Sequence, residues 1–97
     1  MDSPDPTLTV HRHDQLSRYE ARWGTELVTV IDFVLDGELM TITHTGTDPQ
    51  WRGRGFAAQA TQAALEDIRA IGRTVRPVCP FTVDFMDAHP EFGDLRR

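Results

Sequence analysis

The chain has 97 residues, enough for one domain whose core needs no disulfide or metal, and too few for two. Its formal net charge of −5 argues against general binding to nucleic acid or to an anionic membrane surface. No apolar run reaches membrane-spanning length. The opening MDSPDPTLTV lacks the basic and apolar regions of a signal peptide. The single cysteine, Cys79, forbids an internal disulfide, so the expected compartment is the reducing cytoplasm.

Taken in chain order, residues 1–6 read as a flexible polar arm. TLTVHRH alternates and reads as a short strand, and SRYEARW (17–23) as a second. Two β-rich runs then flank Asp36-Gly37, the preferred pair for a two-residue hairpin turn. That turn predicts Leu35 opposite Glu38, Phe33 opposite Met40, Ile31 opposite Ile42 and Thr29 opposite His44. Ile31, Phe33, Met40 and Ile42 would share one face, with His44 at its far end.

From Gly55 the period changes to that of a helix. Phe56, Ala57, Ala60, Thr61, Ala64, Leu65, Ile68 and Ile71 fall on one half of it, and Gln59, Gln62, Glu66 and Arg69 on the other. So many alanines on the buried half predict close packing on a sheet. Gly72 is the expected stop. RTVRPVC (73–79) reads as a strand, PFTVDFMDAH as a helix opened by Pro80 and ended by Pro90, and EFGDLRR as a frayed tail with room for one helical turn. The predicted fold class is α+β: a twisted, mainly antiparallel sheet of about five strands, one parallel strand–helix–strand crossover, and a C-terminal helix. Residues 1–97 form a single domain on this reading. In such crossover units ligands sit beyond the carboxyl ends of the strands, here Thr45-Gly46-Thr47 and Val78-Cys79.

The charge is unevenly spread. Residues 1–50 hold nine acids against three arginines, whereas residues 51–76 hold five arginines against two acids. Arg52, Gly53, Arg54 and Gly55 crowd the mouth of the predicted helix. A helix N-terminus offers unpaired N–H groups and partial positive charge, glycines let a phosphate approach the backbone, and arginines add bidentate contacts. The stretch therefore has the parts of a cradle for one small di-anion. A P-loop is excluded because the chain has no lysine. The dinucleotide pattern fits formally over Gly53, Gly55 and Ala58 but lacks the adjoining strand, the later acid and the room for a doubly wound sheet. The R/Q-x-x-G-x-G/A loop of acyl-CoA transferases is the third candidate, and Arg52, Gly55 and Ala57 fit it in register.

DPQWRGRGFA resembles the acetyl-CoA pyrophosphate loop of the GNAT acyltransferase superfamily. More closely, THT…DPQWRGRGFA…RPVCPF…HPEF is similar to the short single-domain GNAT-like branch, over roughly residues 17–95. The resemblance implies a minimal GNAT-like α/β domain. It implies that the main-chain N–H groups of Arg52, Gly53, Arg54, Gly55, Phe56 and Ala57 hold the CoA pyrophosphate. Thr45, Gly46 and Thr47 would pair with the pantetheine arm, and one of their N–H groups would polarise the thioester carbonyl. His44 and Cys79 stand where this branch also carries His and Cys. The implied co-substrate is acetyl-CoA and the implied acceptor a primary amine; a monomer or weak dimer without a metal is expected. Two departures stand out. The tyrosine that often protonates the leaving thiolate is missing: the late aromatic positions are Phe81, Phe85 and Phe92, and the sole tyrosine is Tyr19. The leucine usual after the loop is Ala60.

Several residues remain open to two readings. Cys79 is either an inert buried thiol or a thiolate activated at a helix N-terminus. His44 is either the end of an apolar face or a general base. His89 should anchor the last helix. His11 and His13 share a strand face but find no third metal ligand. Trp51 and Phe56 read as packing residues. Arg73 and Arg76 either balance nearby termini or reach the nucleotide. A catalytically weak acyl-CoA-binding or sensing module is the alternative to an enzyme, and a pure interaction domain a third reading.

Overall fold

The computed structural model describes residues 8–97; the expected arm at residues 1–6 lies outside them. Five strands follow in chain order across one sheet: β1 (Leu8–His13), β2 (Arg18–Trp23), β3 (Glu26–Asp36), β4 (Leu39–Thr47) and β5 (Thr74–Pro77). The first four are antiparallel neighbours, and β5 pairs parallel with β4. Helix α1 (Phe56–Ala70) makes the crossover and α2 (Pro80–Ala88) follows β5. Both the order of elements and the fold class agree with expectation.

The buried half of α1 comprises Phe56, Ala60, Thr61, Ala64, Leu65 and Ile68. It lies on Tyr19, Ala21, Ile31, Phe33, Met40, Ile42 and Val75 of the sheet. Alanines at the centre of that face let helix and sheet approach closely. Ile71, expected inside, is exposed, because the helix ends at Ala70 and Gly72 turns away with a φ of 74°. The tail is not frayed. Residues Pro90–Leu95 form a 3-10 segment that buries Phe92 and Leu95, and the chain then bridges Val75 from Arg96. The apolar spacing of Phe92 and Leu95, three residues apart, suits that tighter helix.

The β3–β4 hairpin departs from the predicted register. Its two turn residues are Gly37 and Glu38, with Asp36 opposite Leu39, Leu35 opposite Met40 and Phe33 opposite Ile42. Gly37 has a φ of 60° while Glu38 does not enter the left-handed region. That pattern fits a turn with glycine at its first central position rather than Asp-Gly filling both. The slip is by two residues between partners, so Phe33, Met40 and Ile42 still share the buried face. Further along, a bulge between Asp32 and Phe33 of the ladder sets Asp32 opposite His44 and leaves Thr43 without a partner. One extra residue inverts the alternation of every side chain beyond it. His44 therefore leaves the face of Met40 and Ile42, where the sequence alternation put it, and emerges beside Asp32 on the side of the sheet away from α1. Thr45 turns to the inner side, opposite Ile31.

Candidate active site

Strands β4 and β5 pair only from Leu39 with Thr74 to Ile42 with Pro77. The N–H groups of Val78 and Cys79 both donate to the Ile42 carbonyl, at 3.0 and 2.9 Å. From there β5 gives way to α2, while β4 runs on to Thr47. Asp48 donates to the Val28 carbonyl of β3 at 2.9 Å. By strand alternation, the main-chain N–H and C=O groups of Thr45 and Thr47 then face the opposite, vacated edge. The parting of two parallel strands thus leaves a short stretch of main chain able to receive an extended amide-bearing ligand.

A cleft of about 470 Å³ opens at this edge, within the range of small-molecule sites. Its lining includes His44, Thr45, Gly46, Thr47, Arg52, Gly53, Gly55, Phe56 and Ala57 from the predicted set. Because His44 stands on the outer side of the sheet and Phe56 and Ala57 begin α1 on the inner side, the cleft crosses the edge. Trp51, Ala58 and Phe81 also line it. Trp51 and Phe81 were not assigned to a site by sequence: Trp51 read as a packing residue, and Phe81, in the first turn of α2, as one of the late aromatics that replace the missing tyrosine.

The loop has the backbone of an anion receptor. Gly53 and Gly55 both lie in the left-handed region, with φ of 81° and 77°. The first intrahelical bond runs from the Gln59 N–H to the Gly55 carbonyl, and no side chain caps Gly55. The N–H groups of Phe56, Ala57 and Ala58 are left to point out of the helix mouth. Arg52 reaches back to the Thr47 carbonyl with its Nε at 3.4 Å. Arg54 does not line the cleft; its guanidinium lies 4.9 Å from the centre of the Trp51 ring. Phe56 is buried against Trp23 and Trp51 and fixes the start of the helix.

Cys79 is buried at the N-cap of α2, just outside the cleft lining, with its Sγ 3.5 Å from the Thr45 Oγ1. Burial pushes this thiol up. Hydrogen bonding with Thr45 and with the main chain at Thr82 and Phe81 outweighs burial, and the net pKa falls below that of a free thiol. Thr82 is fully buried, and its hydroxyl has no hydrogen-bond partner among the described residues. Sequence gave no hint of Thr82, because a threonine at the third position of a helix is unremarkable. His44 is exposed, with Nδ1 3.3 Å from Asp32 Oδ2. The two predicted chemical residues are thus brought to one strand end but not into contact: Cys79 bonds to Thr45, and His44 to Asp32.

The remaining candidates separate cleanly. Tyr19 is buried under α1 and donates to Asp67 at 2.7 Å, alongside an Arg12–Asp67 ion pair. Burial, and then its bond to Asp67, holds its hydroxyl far above the usual phenol range, and Tyr19 does not line the cleft. His89 bonds to the Phe85 carbonyl at 2.7 Å and stacks on that ring, which anchors α2. His13 pairs with Glu20 at 3.0 Å, and no metal-binding cluster occurs among the described residues. Arg73 precedes β5 at the end of the sheet opposite to the cleft. No helix of the described residues is long and apolar enough to cross a membrane.

A family model described as GCN5-related N-acetyl-transferase matches residues 18–95. A GCN5-like protein of Staphylococcus aureus, solved by NMR, superposes with a TM-score of 0.69 at 14% identity, over 98% of this chain and 91% of that one. The ribosomal-protein-S18-alanine N-acetyltransferase of Escherichia coli superposes with a TM-score of 0.62 at 7% identity, over 79% of this chain and 53% of its own. At these identities the likeness speaks for the fold. A search of curated proteins finds no match.

Proposed function

The chain belongs to the GCN5-related N-acetyltransferase family, and from that premise we propose that it is a small acetyl-CoA-dependent N-acetyltransferase acting on a primary amine. The observation that carries this reading is the edge-crossing cleft, which joins a helix mouth rich in free N–H groups to the vacated edge of β4. The pyrophosphate of CoA meets the N–H groups of the 52–57 loop and α1, with Arg52 at hand. Arg54 swings from Trp51 to meet it. The pantetheine amides pair with the main chain of Thr45 and Thr47. The thioester then lies at the split between Ile42 and Cys79, and the amine arrives from the outer side, beside His44.

Direct attack suits this arrangement better than a covalent acyl-cysteine, because Cys79 has no contact with an imidazole. In the proposed step the amine nitrogen forms a bond to the acetyl carbon and gives a proton to His44 Nε2. The carbon–sulfur bond breaks, and the CoA thiolate takes a proton from the Cys79 thiol, which solvent restores. A thiol with lowered pKa is a better proton donor than a free one, and this role fills the gap left by the missing late tyrosine.

The burial of Tyr19 favours one competing reading, a CoA-binding module with little turnover. Calorimetry with acetyl-CoA, followed by thiol release with glycinamide, ethanolamine, spermidine and a short peptide, tests both. Binding with time-dependent release supports the enzyme, and binding without release supports the module. Absence of binding at millimolar acetyl-CoA sinks both.

A further inference from the structure

We propose that Asp32 and Gly46 are positioning residues that fix the tautomer and the place of the His44 ring, so that Nε2 faces the cleft as a proton acceptor. This inference rests on the reading of His44 as the base. Two independent observations carry it.

The first is the carboxylate. The β-bulge sets Asp32 directly opposite His44, with Oδ2 3.3 Å from Nδ1. Asp32 is also opposite Arg18 on its other side. That arginine, however, is taken by the buried Glu20, to which its Nε donates at 2.9 Å. Arg22 and His13 converge on Glu20 as well, at 3.3 and 3.0 Å. Among the described residues His44 is then the one side chain bonded to the Asp32 carboxylate. An ionised carboxylate only accepts hydrogen bonds, so Nδ1 must carry the proton. In the neutral ring Nε2 is left bare, and no hydrogen bond to it occurs among the described residues.

The second is the missing side chain at position 46. A Cβ built on Gly46 would sit 2.8 Å from His44 Cε1, against an ordinary contact of 3.4 Å or more. The ring lies folded along the strand over the Gly46 Cα. Gly46 does not occupy the left-handed region, unlike Gly53 and Gly55. Its backbone would accept alanine, so the conformation does not demand glycine. What a Cβ there would displace is the imidazole, which keeps this position only beside a glycine. The ring is thus held from the side by Asp32 and admitted from below by Gly46, and both depend on the bulge that turned His44 outward.

The test combines a spectroscopic and a kinetic arm. Long-range ¹H–¹⁵N NMR of the native protein should report the Nδ1–H tautomer for His44, the one of the four histidines whose signals vanish in His44→Ala. Asp32→Ala should shift His44 toward the Nε2–H tautomer that free imidazole side chains prefer. With acetyl-CoA and saturating glycinamide, Asp32→Ala should lower kcat by roughly ten- to a hundredfold, with the KM for acetyl-CoA within about threefold. Gly46→Ala should displace the ring by about 0.6 Å or more and lower kcat similarly, with His44 staying in the native tautomer. Asp32→Glu should recover part of the rate. A native His44 in the Nε2–H form, or an unchanged tautomer in Asp32→Ala, overturns the inference, whatever the rates. If His44→Ala loses a hundredfold while Asp32→Ala turns over normally, the base stands and the positioning falls. A His44→Ala variant at the native rate instead refutes the base assignment itself. Should glycinamide prove a poor acceptor, the tautomer arm decides alone.

Discussion

Gly55 offers the sharpest test of the anion cradle. Its φ of 77° lies where an L-residue with a side chain is strained, at a cost of about 1–2 kcal/mol. Space is not the obstacle: an added Cβ would meet only Gln59 Nε2, at 3.9 Å. Replacement by alanine also stiffens the unfolded chain, which returns a few tenths of a kcal/mol or somewhat more. The net loss should be about 1 kcal/mol, or about 4–8 °C in Tm for a domain of this size. Gly55→Asn should lose less, since asparagine tolerates the left-handed region, and Gly55→Val more, since it is β-branched. Gly93 supplies the control. It has no positive φ and nothing within 4 Å of a built Cβ, so Gly93→Ala should leave Tm unchanged or slightly raised. Thermal unfolding followed by circular dichroism measures the strain, and calorimetric titration with acetyl-CoA measures the cradle. A loop that relaxes to negative φ re-aims the N–H groups of α1, so binding should weaken tenfold or more in Gly55→Ala. A variant with native Tm and native affinity would refute both the loop conformation and its role.

The other predictions concern separate parts of the molecule. Arg52→Ala and Arg54→Ala should each weaken acetyl-CoA binding by about 1–3 kcal/mol and raise KM more than they lower kcat, as expected of charge-assisted phosphate contacts; steady-state kinetics decides. Cys79→Ala should keep acetyl-CoA affinity within a few-fold and lower kcat by roughly a hundredfold. Iodoacetamide should alkylate the native thiol slowly but with a pH midpoint below that of a free thiol, since Thr45 and the start of α2 favour the thiolate over the opposing effect of burial; a midpoint above it contradicts the assignment. The chain has no lysine, so an acetyl group acquired from acetyl-CoA can fall only on the N-terminal amine, Cys79 or, more weakly, a hydroxyl or His; a hydroxylamine-labile acetyl group mapped to Cys79 by mass spectrometry would replace direct attack with a covalent route. The bond from Arg18 holds the buried Glu20 carboxyl below its ordinary range against the cost of burial. Its contribution to stability is therefore present above the unfolded carboxylate pKa and lost as pH falls through the lower folded value. Denaturant titrations of Glu20→Gln against the native chain should diverge near neutrality and converge in acid; curves that stay parallel across that window dismiss the effect.

Much of this fold was legible because its signals are local. Alternation in β3 and β4, the alanine-rich face of α1, Gly72 after it and Pro80 before α2 each name an element without reference to the rest. The loop at Arg52–Ala57 was legible for the same reason: its glycines and arginines are contiguous. What escaped depends on pairing between distant residues. The hairpin turn moved by one residue because Asp36-Gly37 and Gly37-Glu38 both suit a two-residue loop, and the choice is made by the ladder. The bulge at Thr43 has no composition signal, yet it moves His44 across the sheet. Asp32 carried a clue, as the lone acid within the apolar run of β3. Thr82 carried none, since it matters only through the sulfur it faces.

The bulge also explains why the residues proposed for chemistry divide as they do. Without it, residues 40, 42, 44 and 46 would share the inner face, and His44 would sit under α1 with no access to an amine arriving from outside. With it, Thr45 turns inward to Cys79, and His44 turns outward to Asp32, on consecutive residues of one strand. A base and an acid acting on one tetrahedral carbon must approach it from different directions, because the entering nitrogen and the leaving sulfur are on different sides of it. Consecutive residues of a strand point to opposite faces and satisfy that requirement at a separation fixed by the backbone. The same extra residue falls where β5 stops pairing, so the main chain proposed to receive the thioester arm and the side chains proposed to act at its two ends meet at one local irregularity. A variant deleting Thr43 would restore the regular ladder and return His44 to the inner face; on this argument it should retain the loop at 52–57 and its grip on acetyl-CoA while losing transfer altogether. Retained transfer in that variant would separate the chemistry from the bulge.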